Sequence, residues 1–165
     1  MGRAPLFGHL ARIGAKLQYA IHFNSFSIMS QILITTQDYQ RLKQQIHLAK
    51  ANPTIAPRQR QALTQCVDGA TLVDPRTIPA NVVTMNSRVK IVYLDNHHRT
   101  LELKLVYPQQ VDVPQNQISI FAPLATALLG CKQHDVIRLP VLNRTLNVKI
   151  DRILYQPEAA GDYAL

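Results

Sequence analysis

Two cysteines, Cys66 and Cys131, and six histidines are the side chains of this 165-residue chain best suited to hold a soft metal or attack an electrophile. Their spacing serves neither purpose. The cysteines lie far apart, neither belongs to a C-x-x-C or Cys/His ligand pattern, and of the histidines only His97 and His98 adjoin, in a turn-like Asp95-Asn96-His97-His98 segment. The thiols are therefore expected as small buried apolar groups in a reducing cytoplasm. No Walker-type glycine-rich loop, no G-x-S-x-G and no Cys placed by pattern beside a His occurs either. The residues point to a protein that is not an enzyme, with no cofactor and no metal.

The elements that carry these side chains are those of an ordinary globular chain, 47% hydrophobic and 17% charged, long enough for one core with an appendage or two small domains. Its apolar runs are broken by Lys, Arg, Asn or Gln well short of the roughly 20 residues that span a bilayer, so no membrane segment is expected. The net charge of +8 suggests an acidic partner. It divides as +3 over residues 1–28, +3 over 29–81 and +2 over 82–165, with no dense basic run and no Trp for base stacking. Sequence-specific nucleic-acid binding is not expected.

Residues 1–28 carry Arg3, Arg12 and Lys16, no acid, and Leu6, Leu10, Ile13, Leu17 and Ile21 at helical spacing. A transit-like or membrane-surface helix, an extra helix, or sequence upstream of a natural start at Met29-Ser30 all fit, and the last is favoured because the organised pattern begins there. After the short apolar stretch Ile32-Leu33-Ile34, Thr35-Thr36 reads as a helix N-cap with Asp38 in the first turn. Tyr39, Leu42, Ile46 and Ala49 then recur at intervals of three, four and three, the seam of a two-helix coiled coil. Pro53 ends that helix near Asn52, and Pro57 starts a second running through Leu63, Val67 and Ala70. The pattern predicts a short antiparallel coiled-coil hairpin with its tip at Asn52, Pro53 and Thr54. Packing of both helices on the main domain competes with a projecting arm, which at 15 residues would reach about 22 Å.

A Pro-flanked linker at residues 74–79 leads into a strand-rich half: residues 82–94, 100–107, 117–121, 136–139 and 146–155 have strand composition, and 123–129 form a short helix closed by Gly130. The sum is an α+β chain, a helical hairpin and linker over 29–78 followed by an antiparallel sheet with one short helix over 79–165.

At this point the residues become recognisable. Val83-Thr84-Met85-Asn86-Ser87-Arg88-Val89, Leu105-Val106-Tyr107-Pro108, the segment from Ala122-Pro123-Leu124 to Leu129-Gly130, and the tail Tyr155-Gln156-Pro157-Glu158-Ala159-Ala160-Gly161-Asp162-Tyr163-Ala164-Leu165 resemble the Rnk-type regulators of nucleoside diphosphate kinase, relatives of the Gre transcript-cleavage factors. The resemblance is close over 79–165 and thin over 29–78. It implies an FKBP-like C-terminal domain that docks on RNA polymerase near its secondary channel through Ser119, Phe121, Ala122, Pro123 and Leu124, in competition with Gre factors. For Phe121 and Leu124, burial in the sheet–helix core is an equal expectation. The chain departs from the family pattern at Ala122, where Ser is common, at His134-Asp135, where Gre factors often carry Gly-Asp, and at Cys66, where an acid is common.

Gre factors use acids at the hairpin tip to help hold a second Mg²⁺ and a water in the polymerase site, as a hard divalent ion requires. Between Asp38 and Asp68 this chain has no Asp or Glu, and its tip is flanked by Lys50, Arg58 and Arg60. Transcript cleavage is thereby disfavoured. Two alternatives remain open: direct action on nucleoside diphosphate kinase, and prolyl isomerisation, which an FKBP-like fold implies only by analogy.

Overall fold

A computed structural model describes residues 31–95 and 98–164. The readings for residues 1–28, for a start at Met29, and for the Asn96-His97 part of the histidine turn lie outside them. The chain runs through β1 (Leu33–Thr35), α1 (Thr36–Leu48), a 3₁₀ turn at Ala49–Ala51, α2 (Pro57–Asp68) and β2 (Thr71–Val73) before the second half begins. Thr35 caps α1, its Oγ1 accepting from the Asp38 N–H at 3.0 Å, and Pro57 sits in the first turn of α2. The helices are antiparallel. Lys43 meets Asp68 at 2.8 Å near one end, and Arg60 donates to the Ala49 carbonyl at 3.2 Å near the other.

The second half contains β3 (Arg88–Tyr93), β4 (Arg99–Val106), β5 (Gln117–Ser119), α3 (Pro123–Leu128), β6 (Val136–Val141), β7 (Arg144–Tyr155) and α4 (Pro157–Ala160). The sheet order is β5-β4-β3-β7-β6, and β5 runs parallel to β4, pairing Lys104 with Gln117 and Val106 with Ser119. The expectation of a wholly antiparallel sheet is corrected there. Residues 107–116 include a 3₁₀ turn at Pro108–Gln110 and a turn closed by Asn116 at φ 54°, a connection that carries the chain back beside Lys104, so that β5 runs along the last residues of β4 in the same direction.

Three other elements differ from the sequence reading. Thr71–Val73 is a strand, paired in parallel with Leu33–Thr35, so that the hairpin is the crossover between two strands. Residues 82–87 are not regular strand, because Asn86 takes φ 61° and Ser87 N–H folds back to the Thr84 carbonyl at 3.2 Å. The tail contains the short helix α4.

The hairpin does not stand free. Leu42, Ile46, Ala49, Leu63 and Val67 join one core cluster with Val83, Met85, Leu105, Ile120, Phe121 and Leu128. A narrow apolar stripe on two short helices gains more from the neighbouring sheet and α3 than from each other alone, at about 25 cal/mol per Å² buried. The sheet side and α3 thus share in burying the apolar stripe of both helices.

Gly130 is the joint between the halves. At φ 76° it donates its N–H to Val83 at 2.8 Å and accepts from Leu33 N at 3.3 Å; a Cβ there would collide with the Ile32 side chain and stand 2.9 Å from the Leu33 carbonyl oxygen. Gly130→Ala is therefore expected to cost about 2 kcal/mol, from left-handed strain plus a backbone clash, and to lower the melting temperature by several degrees. A calorimetric melt unchanged by the substitution would contradict the joint.

Along β3, Val89 and Ile91 point into the core while Arg88 and Lys90 face solvent, opposite Lys104 and Glu102 of β4. On β7 the same outer face carries Lys149, opposite Val92, and Arg152, opposite Lys90.

Candidate docking surface and hairpin tip

The proposed docking residues occupy the turn from β5 into α3. Ser119 Oγ accepts from Phe121 N–H at 3.2 Å and the Ser119 carbonyl accepts from Ala122 N–H at 2.8 Å, a compact turn that delivers Pro123 to the first position of α3. Thr126 Oγ1 donates to the Ile120 carbonyl at 2.7 Å and ties the helix back to the strand. Pro123 is exposed, Ser119, Ala122 and Leu124 are half-buried, and Phe121 is only 2% exposed. Phe121 is thus a core residue that shapes the turn rather than a contact. The accessible part of the turn is Pro123 with the half-buried Ser119, Ala122 and Leu124.

The tip is closed on itself. Asn52 Oδ1 accepts from Thr54 N–H at 3.0 Å and from Thr54 Oγ1 at 2.6 Å, and the Arg60 guanidinium donates to the carbonyls of Ala49 and Ile55 at 3.2 Å each. The Asn52 side-chain oxygen and the carbonyls of Ala49, Asn52 and Ile55 are thus engaged by N–H and O–H donors, and Arg60 places a fixed positive charge beside them. Asp68, the next acid along the chain, is paired with Lys43 at the far end of the helix pair. The tip also leans toward the docking turn: Gln45, Leu48, Asn52, Ile55, Pro108, Gln109 and Phe121 line a hollow of about 60 Å³, and Gln109 Nε2 donates to Gln45 Oε1 at 3.2 Å. A second hollow, of about 280 Å³, is lined by Gln37, Asp74, Pro75, Arg76 and Tyr163. Each contains a single aromatic ring.

Asp38 has a larger role than a first-turn charge. It is 5% exposed, its Oδ2 accepts from Met85 N–H at 3.2 Å, and Tyr107 donates its hydroxyl to Oδ1 at 3.4 Å. Burial first, and then the charge of Glu158, push its carboxyl up to about 6, against the opposing pull of Met85 N–H and Arg41. Burial and the Asp38 charge push the Tyr107 phenol up as well. Glu158, from the tail, accepts from Thr84 Oγ1 at 2.7 Å, and Gln156 donates to the carbonyls of Pro79 and Val82 at 2.9 and 2.7 Å. The distinctive tail and the residues 83–87 thus form one polar joint with α1. Sequence reading missed it, because Asp38, between Gln37 and Tyr39, reads as an ordinary first-turn acid.

The two thiols flank α3. Cys66 points at the Thr126 carbonyl, 3.8 Å away, and Cys131 at that of Ala127, at 3.3 Å. Burial pushes Cys66 up to about 11 and, with Asp135 and Cys66 adding to it, Cys131 up to about 12. Both stay protonated at neutral pH and are poor nucleophiles.

A family model described as "Transcription elongation factor, GreA/GreB, C-term" matches residues 78–155. The chain is 41% identical over 106 residues to the "Regulator of nucleoside diphosphate kinase" of Escherichia coli K12, covering 63% of this chain and 76% of that protein. It is 26% identical over 110 residues to "Transcription elongation factor GreA" of Thermodesulfovibrio yellowstonii, covering 67% of this chain and 69% of the relative. Among solved structures, a GreA/GreB transcription elongation factor from Nitrosomonas europaea matches with a TM-score of 0.62 and 36% identity, over 76% of this chain and all of that one.

Proposed function

Because the chain belongs to the family of Gre factors and Rnk-type regulators of nucleoside diphosphate kinase, we propose that it is a non-catalytic cytoplasmic regulator that binds RNA polymerase beside the secondary channel. In this reading residues 79–165 are an FKBP-like docking unit and residues 29–78 a short hairpin and linker. The single observation that carries it is the pairing of a well-formed turn at residues 119–124 with a tip in which Thr54 engages the Asn52 side-chain oxygen and Arg60 engages the Ile55 carbonyl. Docking then occupies the site without supplying carboxylates for a second Mg²⁺.

The test is capture of purified core RNA polymerase by the full chain, alongside Ser119→Arg. The half-buried Ser119 presents a small hydroxyl beside exposed Pro123, and a long cation there obstructs close approach. The variant should bind at least about tenfold more weakly, while its circular dichroism melt falls by no more than the few degrees that loss of the Ser119 Oγ–Phe121 N–H bond, about 1 kcal/mol, explains. Equal affinity would place the interface elsewhere.

A second reading, direct action on nucleoside diphosphate kinase, is favoured by the name of the 41% identical relative. The same capture experiment with that kinase separates the two. Binding of the kinase alone would reverse their order.

A further inference from the structure

The outer face of the five-stranded sheet gathers charge that no stretch of sequence displays. Arg88 and Lys90 of β3 stand opposite Lys104 of β4 and Arg152 of β7, and Lys149 lies farther along β7 opposite Val92. The acids on or beside this face are Glu102, opposite Lys90; Asp151, 4.0 Å from Lys90 Nζ, with both side chains of that pair about 40% exposed; and, at its two ends, Asp95, which accepts from Asn147, and Asp162, which accepts from Tyr155. Register places Arg138 of β6 on the same side, opposite Asn147. Directly opposed residues on neighbouring strands are about 5 Å apart and alternate residues on one strand about 6.6 Å apart, so the cations lie within one Debye length of their neighbours and reinforce each other. Like charges set directly opposite, as Arg88 and Lys104 are, weaken a sheet. Folding alone gives no reason for them.

We propose that this face binds the sugar–phosphate backbone of a nucleic acid, independently of base sequence. Charge complementarity commits the site to a polyanion, and its composition commits it to phosphates rather than to an acidic protein. Protein interfaces centre on buried apolar or aromatic anchors, and the middle of this face, Arg88, Lys90 and Arg152, offers none. The exposed apolar residues nearby, Val136 and Leu154, belong to β6 and to the end of β7. Tyr155, the aromatic residue opposite Arg88, has its hydroxyl engaged by Asp162. With no row of rings to stack bases, the contacts fall on the backbone and carry no sequence preference. The centre of the face, on β3 and β7, lies two strands or more from β5 and the docking turn, and its test does not depend on polymerase binding.

The experiment is fluorescence anisotropy with end-labelled mixed-sequence oligonucleotides of about 20 nucleotides, as single-stranded RNA, single-stranded DNA and duplex DNA, against the full chain. The face variant combines Arg88→Gln, Lys90→Gln, Lys149→Gln and Arg152→Gln; a control with the same change in net charge combines Lys50→Gln, Arg58→Gln, Arg76→Gln and Lys132→Gln. Both are first matched to the parent by melting temperature. At about −0.7 in log K per phosphate contact on a single strand, five contacts predict about a hundredfold weakening between roughly 50 and 200 mM salt. The face variant should lose at least about tenfold in affinity and most of that salt dependence, and the control less than about threefold. The three probes tell which form of backbone fits best. Equal losses in the two variants, no binding by the parent at the lower salt, or tighter binding of a polyglutamate probe than of any oligonucleotide would overturn the proposal.

Discussion

Raising the pH from about 4 to 8 is expected to cost this protein about 3 kcal/mol of stability through Asp38 alone, and Asp38→Asn is expected to abolish that loss. The folded carboxyl is raised to about 6 from an ordinary value of 3.8, so over this interval the native state holds more protons than the unfolded chain. The stabilisation is complete below about 4 and disappears as pH rises through about 6. Two pKa units correspond to about 3 kcal/mol. Burial sets the sign: Glu158 from the tail adds to it, and Met85 N–H, Arg41 and Thr35 favour ionisation without offsetting it. Asn retains an oxygen for Met85 N–H and an amide that donates to Tyr107, but cannot ionise. Asp38→Ala, by contrast, leaves the buried Met85 N–H without its acceptor and should cost about 2 kcal/mol at pH 5, where the parent carboxyl is neutral. Urea unfolding of the three proteins at several pH values checks both statements. The same pH slope in parent and Asp38→Asn would refute the assignment.

That joint shows where sequence reasoning stops. The cap at Thr35, the proline starts at Pro57 and Pro123 and the apolar spacing of Leu42, Ile46 and Ala49 are local signals, and each element they predict is found. So is the alternation of β3, β4 and β7. The parallel pair Leu33–Thr35 with Thr71–Val73 leaves no such mark, since three-residue strands are too short to show a period and their partners are joined by two helices. Nor does the basic face. Its cations alternate with apolar residues on separate strands, so a count along the chain sees only a modest local excess. Asp38 reads in sequence as a first-turn acid favouring the helix dipole, and only the fold places Met85, Tyr107 and Glu158 around it. Phe121 illustrates the converse: family resemblance marks its segment for docking, while packing takes its ring into the core.

Introducing Pro53→Asp and Thr54→Glu should restore little or no cleavage activity, although it supplies the missing oxygens. Arg60 and the core packing of Ile46, Ala49 and Leu63 hold the tip beside residues 108–109 and 121, rather than on a free arm. Carboxylates act on a metal only within about 2.0–2.6 Å of it, and a tip held against its own domain does not reach that far.

The most direct test of a non-catalytic regulator sharing the Gre site is RNA shortening in a backtracked polymerase complex, followed in time at several ratios of this protein to a Gre factor. Alone, the protein should leave the transcript at its starting length throughout. Mixed with the Gre factor it should slow cleavage in proportion to its occupancy, Ser119→Arg should fail to do so, and excess Gre factor should restore the full rate. Cleavage by this protein alone would contradict the non-catalytic assignment, and inhibition that added Gre factor does not relieve would contradict the shared site.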